Sequence, residues 1–196
     1  MSDFIYEEIA PTVLLYKNVI NNCDEIIDIA KDESFLWDDA HINAGSDEEG
    51  NNLSLVNKNI RNTKAYGIQP TLNNDIMWFD ISQRIWKTAD HYAKKFDIAF
   101  SNMEPPQLLY YPAGEGFYKP HSDHGPSNPR LFSSVLYLND IEEGGETYFT
   151  HFDIAVKPRA GDMVVFPSNY TFLHEAKSPI SDDKYVVVTW YTPYLS

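Results

Sequence analysis

Cysteine is nearly absent from this chain: Cys23 is the only one, so neither an internal disulfide nor a thiolate metal cluster can hold the fold together. A reducing compartment suits that composition. No apolar run is long enough to span a bilayer, and the opening MSDFIYEEIA has no basic region followed by an apolar stretch, so a soluble, cytoplasmic protein without a membrane partner is expected. Basic residues are also scarce, 15 against 29 Asp and Glu, giving a formal net charge of -14. Such a field repels phosphate backbones, and no cluster of Lys and Arg offsets it, which argues against a nucleic-acid partner. The most basic stretch, around Lys87, Lys94 and Lys95, is diluted by Asp90 and Asp97 and reads as the wet face of a helix. Nor is there a Pro-, Gly- or Ser-rich linker or an internal repeat, so residues 1–196 are expected to form a single domain.

What the chain does have is burial potential, with 43% apolar residues, 13 Tyr and 11 Phe. Ile20, Cys23, Ile26, Ile27 and Ala30 follow helical spacing over residues 20–32, behind an Asn-rich start suited to capping. A longer helix is predicted over 73–96, where Trp78, Ile81, Ile85, Ala89, Tyr92 and Phe96 share one face. Between them, residues 43–60 crowd Gly, Ser, Asn and acidic side chains without an apolar period, which predicts a mobile loop, either a plain connection or a lid.

After residue 104 the pattern changes to short strands bounded by turn residues: QLLYY, FYKPHSD, LFSSVLYL, ETYFT, IAVKP, DMVVFP and KYVVVTWYTPYL. The expectation is an α+β, mainly β chain. Residues 1–103 would supply helical and strand support, and residues 104–196 a barrel or jelly roll buttressed on one face by the helices.

Alternate residues of a strand share a face, so His121 and Asp123 can address one ion while Ser122 points away. Two imidazoles and a carboxylate on one side of a metal leave positions open for co-substrate and oxygen, which is the facial triad of non-haem iron oxygenases. His174, in TFLHEA ahead of the last strand, is the candidate third ligand. His124 would face away from His121 on a continuing strand, and His41, His91 and His151 are expected to be structural or exposed. Lys184 opens the last strand, where it can pair with an anionic co-substrate.

QLLYYPAGEGFYKPHSD, LFSSVLYLND, EEGGETYF, VKPRAGDMVVFP, FLHEAKSPI and KYVVVTWY stand in one order, and with it residues 104–192 resemble the Fe(II)- and 2-oxoglutarate-dependent dioxygenases, within them the prolyl 4-hydroxylase catalytic domain. The resemblance implies a double-stranded β-helix core and His121, Asp123 and His174 as iron ligands. It implies Lys184 as the partner of the distal 2-oxoglutarate carboxylate. Tyr111 resembles a co-substrate-contacting tyrosine, with Tyr110 the alternative because PAGEGF carries one extra residue, and Thr147 is placed to line the pocket. Tyr118 resembles the tyrosine beside metal and peptide, provided the strand alternation is broken before His121. Arg61 resembles an arginine facing peptide substrate, and Trp190 is either core or pocket wall. Gly144 with Gly145, and Gly161 with Asp162, read as turns.

The activity so implied is hydroxylation of prolyl residues in a peptide or protein, using O2 and 2-oxoglutarate, releasing succinate and CO2, with ascorbate as reductant. Two alternatives stand beside it: an oxygenase acting on a free amino acid or small metabolite, and a non-enzymatic β-barrel binding module.

Overall fold

A computed structural model of the protein describes residues 4–46, 52–68, 76–126 and 128–193. In chain order the elements are β1 (Tyr6–Ala10), β2 (Val13–Tyr16), α1 (Cys23–Lys31), β3 (Asp38–Asp39), β4 (Ile42–Ser46), β5 (Asn52–Leu55), β6 (Arg61–Asn62), β7 (Lys64–Gly67) and α2 (Ile76–Lys95). There follow β8 (Asn102–Met103), β9 (Gln107–Tyr111), β10 (Phe117–His121), β11 (Phe132–Tyr137), β12 (Thr147–Phe149), β13 (Ile154–Val156), β14 (Met163–Pro167), β15 (His174–Ala176) and β16 (Lys184–Thr192).

Among the described residues nine strands make a major antiparallel sheet, running β1, β2, β14, β11, β16, β9, β7, β3, with β8 also on β16. Five make a minor sheet in the order β13, β12, β15, β10, β6. The two sheets pack face to face, with Phe149 of the minor sheet edge-on to Phe166 of the major one at 4.9 Å between ring centroids. The result is the expected jelly roll, a double-stranded β-helix with helices on one outer face.

The period-2 pattern of the strands explains how the major sheet serves two layers. Leu108, Phe132, Leu136, Met163, Val165, Val187 and Tyr191 point outward into a core shared with Ile26 of α1 and Ile81, Ile85 and Tyr92 of α2. Their neighbours Leu109, Tyr137, Val164, Phe166, Val186 and Val188 point inward. Strands apolar on both faces read as near-continuous runs, which is why VVV and MVV occur where they do.

Two local expectations need correction. The Asn-rich start does not cap α1: Asn22 sits at the N-cap position but makes no side-chain cap hydrogen bond, its ψ of 36° lying outside the extended range a capping side chain uses. The stretch 43–60 is not featureless either. β4 and β5 pair as an antiparallel hairpin, Ile42 opposite Leu55 and Asn43 opposite Ser54, and His41 Nδ1 meets Ser54 Oγ at 2.8 Å. Its tip, residues 47–51, lies outside the described residues. An N-terminal hairpin, β1 with β2, extends the major sheet and supplies part of the strand support expected of residues 1–103.

Candidate metal centre

Pairing within the minor sheet and a turn at its edge bring the ligand candidates together. His121 of β10 lies directly across from His174 of β15, so the two imidazoles project side by side with centroids 4.3 Å apart. Asp123 follows just past the end of β10, its amide and that of His124 both donating to the Ser168 carbonyl. The donor atoms of His121, Asp123 and His174 all lie within 4.8 Å of one another.

Each ligand candidate is oriented by a partner on its far side. His121 Nδ1 lies 2.8 Å from the Lys119 carbonyl and His174 Nδ1 lies 3.0 Å from that of Phe172; a carbonyl only accepts, so Nδ1–H is the donor in both rings. Both Nε2 atoms therefore face the Asp123 carboxylate, at 3.7 and 3.6 Å, too long for hydrogen bonds. Asp123 Oδ2 accepts from Ser133 Oγ at 2.6 Å, and Ser133 in turn meets Ser168 Oγ at 2.7 Å.

Electrostatics keep this set ready to donate electron pairs. Burial, followed by the neighbouring His174, pushes the His121 pKa down to about 3, so its ring is neutral. Burial alone would raise the Asp123 carboxyl, but the two histidines, the Ser133 hydroxyl and Arg130 together hold it below the usual carboxylate range. Two imidazoles, the His121 ring neutral, with an ionised carboxylate form a donor set that fits a divalent iron.

The alternation of β10 is broken as Tyr118 requires. Tyr118 pairs with Ala176 and His121 with His174, three residues against two, so β10 carries a bulge at Lys119 and Pro120, where proline's missing N–H costs no ladder bond. Tyr118 and His121 thus share a face and their rings stack at 3.6 Å. Arg61 lies on the other side of that ring at 4.8 Å, itself buried and donating to Thr63 Oγ1 and the His41 carbonyl.

A cavity of about 630 Å³ runs from the histidines to Lys184. Lys184 is only 1% exposed and burial lowers its pKa to about 7; its amine donates to the Gly145 carbonyl, and no carboxylate lies within 4 Å of it among the described residues. The positive φ of Gly144 and Gly145 allows the turn that aims this carbonyl, and a Cβ at Gly144 would come within 2.3 Å of the Ser178 carbonyl. A buried amine bonded to one carbonyl but to no carboxylate, facing an open cavity, fits a carboxylate-bearing ligand such as 2-oxoglutarate.

Tyr111 pairs with Lys184 across β9 and β16, its ring 4.4 Å from the amine, and burial raises its phenol to about 12. Tyr110 points to the other face and donates to Asp183. Thr147 lines the cavity and accepts from Tyr137. Trp190 is both packed and at the cavity wall, lying under Arg130 at 3.7 Å.

His124 corrects the expectation drawn from a continuing strand. β10 ends at His121, so His124 is turned to the cavity wall, its Nδ1 donating to the Arg130 carbonyl. Sequence reasoning missed Ser133, Ser168 and the Arg130–Glu104 pair, bonded twice at 2.6 Å. The one available signal was the Ser-Ser pair interrupting an otherwise apolar strand.

Residues 106–192 match the model of the 2OG-Fe(II) oxygenase superfamily. A protein of Acanthamoeba polyphaga mimivirus assigned as a prolyl 4-hydroxylase is 26% identical over 96% of this chain and 78% of its own length. The viral collagen prolyl hydroxylase of Paramecium Bursaria Chlorella virus-1, solved with 2OG, superposes with a TM-score of 0.66 at 20% identity, covering 93% of this chain and 96% of that one. A Trichoplax adhaerens prolyl hydroxylase in complex with a hypoxia inducible factor peptide fragment superposes at 0.67 and 16% identity, covering 92% and 83%.

Proposed function

We propose that the whole chain acts as one domain, a prolyl hydroxylase-like 2-oxoglutarate-dependent dioxygenase that hydroxylates prolyl residues within a peptide or protein, a reading supported by the match of residues 106–192 to the 2OG-Fe(II) oxygenase superfamily and by the mimivirus relative. The observation that carries this reading is the placement of three converging donors and a buried Lys184, bonded to no carboxylate, in one cavity that opens to solvent.

His121 and His174 would hold the metal through Nε2 and Asp123 through a carboxylate oxygen. Bound there, Fe(II) with 2-oxoglutarate and O2 would supply the oxidising chemistry that inserts oxygen into a C–H bond and releases succinate and CO2, with ascorbate as external reductant.

The protein's own contribution is position and dryness. Lys184 anchors a distal carboxylate by a charge-assisted bond, with Tyr111 and Thr147 alongside. Leu109, Val186 and Val188 wall the cavity and keep water from the reacting centre. Tyr118 and Arg61 on one side and Trp190 with Arg130 on the other form the surfaces against which a peptide backbone would lie. Ile42, Leu53 and Val56 bring apolar side chains of the β4–β5 arm to the rim, Leu53 and Val56 strongly exposed, as suits a surface completed by an extended partner.

The test is incubation with Fe(II), ascorbate and 2-oxoglutarate and a panel of proline-rich peptides beside free amino acids, read by mass spectrometry. Addition of one oxygen to a peptide proline is the expected result. Oxidation of free amino acids alone would reassign the substrate, and absence of any 2-oxoglutarate turnover would leave a binding module.

A further inference from the structure

A second concave surface lies just around the sheet margin from the cavity. α1 and the segment after it expose Ile29 at 43% and Leu36 at 81%, and these line a shallow depression with Asp28, Asp32, Phe35 and Tyr66. Its floor is firm: Phe35 packs on Tyr66 at 4.6 Å and on Trp37 at 4.9 Å. Tyr66 belongs to β7, and its strand neighbours Ala65 and Gly67 line the catalytic cavity on the opposite face. Only β3, the two-residue edge strand of Asp38 and Asp39, separates the two hollows, and both its residues border the cavity mouth.

The charge around this depression is predominantly negative. Residues 24–39 hold seven carboxylates (Asp24, Glu25, Asp28, Asp32, Glu33, Asp38 and Asp39) and one amine, Lys31, which leans over the Tyr185 ring. Asp32 is engaged by Ser34 and Asp39 by Lys58 and Lys64, but Asp28 and Asp38 have no ion pair among the described residues. Exposed aliphatic side chains beside unpaired carboxylates complement a segment that carries both a large aliphatic side chain and Lys or Arg.

We propose that this depression is an exosite for a polypeptide substrate. It takes an aliphatic, basic segment lying to one side of the residue presented at the metal, the chain passing over the β3 edge between the two sites. The proposal rests on the peptide-substrate reading above. Holding a flanking segment makes docking of the reactive residue intramolecular, which raises apparent affinity without altering the chemical step.

The test uses the whole chain and its Leu36→Ser and Asp28→Asn variants, both changes being on exposed side chains outside the catalytic cavity. Fluorescence anisotropy follows a labelled tail of Leu, Lys and Arg that lacks proline, and the same tail with Glu for every Lys and Arg. Turnover is measured on a prolyl peptide with and without the basic tail on a flexible spacer. Expected are binding of the basic tail alone to the wild type, weakening of about tenfold in Leu36→Ser, no binding of the acidic tail, and a KM about tenfold lower for the tailed peptide at unchanged kcat. Equal tail binding by the wild type and both variants, or none by the wild type, overturns the exosite. Hydroxylation of the untailed peptide without gain from the tail overturns it while sparing the peptide reading. Tail binding that depends on Leu36, with no prolyl peptide hydroxylated, keeps the docking surface and sinks that reading.

Discussion

The two faces of β16 show how one strand can serve stability and chemistry separately. Outward, Tyr185, Val187 and Tyr191 press into the helical core; Tyr191 is fully buried, stacks on Phe132 at 4.3 Å and pairs its hydroxyl with Ser134. Inward, Lys184, Val186, Val188 and Trp190 border the cavity, and there a buried amine has no carboxylate within 4 Å among the described residues. Burying such a group opposes folding, and the continuous apolar packing on the opposite side is what allows the strand to hold it.

That contrast can be broken from either side. The largest effect is expected from Asp123→Ala, which removes the only anionic member of the donor set. Iron-dependent succinate formation should vanish and Fe(II) binding by titration calorimetry should be lost, with the fold retained by circular dichroism; wild-type turnover would sink the triad. Tyr191→Ala should do the reverse, costing about 3–5 kcal/mol of stability in denaturant unfolding while leaving the site's composition intact.

Lys184→Met separates the faces most sharply. The KM for 2-oxoglutarate should rise by about two orders of magnitude, yet the melting temperature of the ligand-free protein should hold or increase, because a desolvated charge has been removed. A falling melting temperature would mean that Lys184 is structural. The same residue sets a pH dependence of opposite sign in two measurements. Its pKa is lowered from 10.5 to about 7, so the penalty of burying the cation is complete below pH 7 and relieved as pH rises towards 10.5, and ligand-free stability should gain over that window. Affinity for 2-oxoglutarate needs the cation and should weaken above pH 7, an effect absent from Lys184→Met. The smallest change is Ser133→Ala, where Asp123 loses its orienting hydroxyl and metal affinity should fall about 10- to 100-fold.

The parts of this molecule governed by sequence spacing were legible in advance. Inward and outward sets in the strands follow from period 2, and the candidate set of His121, Asp123, His174 and Lys184 was written in strand motifs that also determine its placement. Tyr118 was legible only conditionally, because the bulge that turns it depends on pairing with β15, a partner over 50 residues away. Ser133 was hidden for a related reason: a hydroxyl in a buried strand has no role until the register with β14 brings Ser168 beside it. The β4–β5 hairpin escaped notice because its residues lack an apolar alternation, its pairing resting on the backbone ladder and a His41–Ser54 contact. Asn22 shows the limit of composition: the residue type suits a cap, but the backbone angles decide.

The bulge in β10 also sets terms for anyone wishing to transplant this centre into another jelly roll. An idealised strand would still deliver His121 opposite His174, yet it would rotate Tyr118 to the far side and leave Arg61 with no ring to rest on. The portable unit is therefore the irregularity together with its proline, and a designer who regularised it would copy the ligands while discarding the surface that meets the substrate.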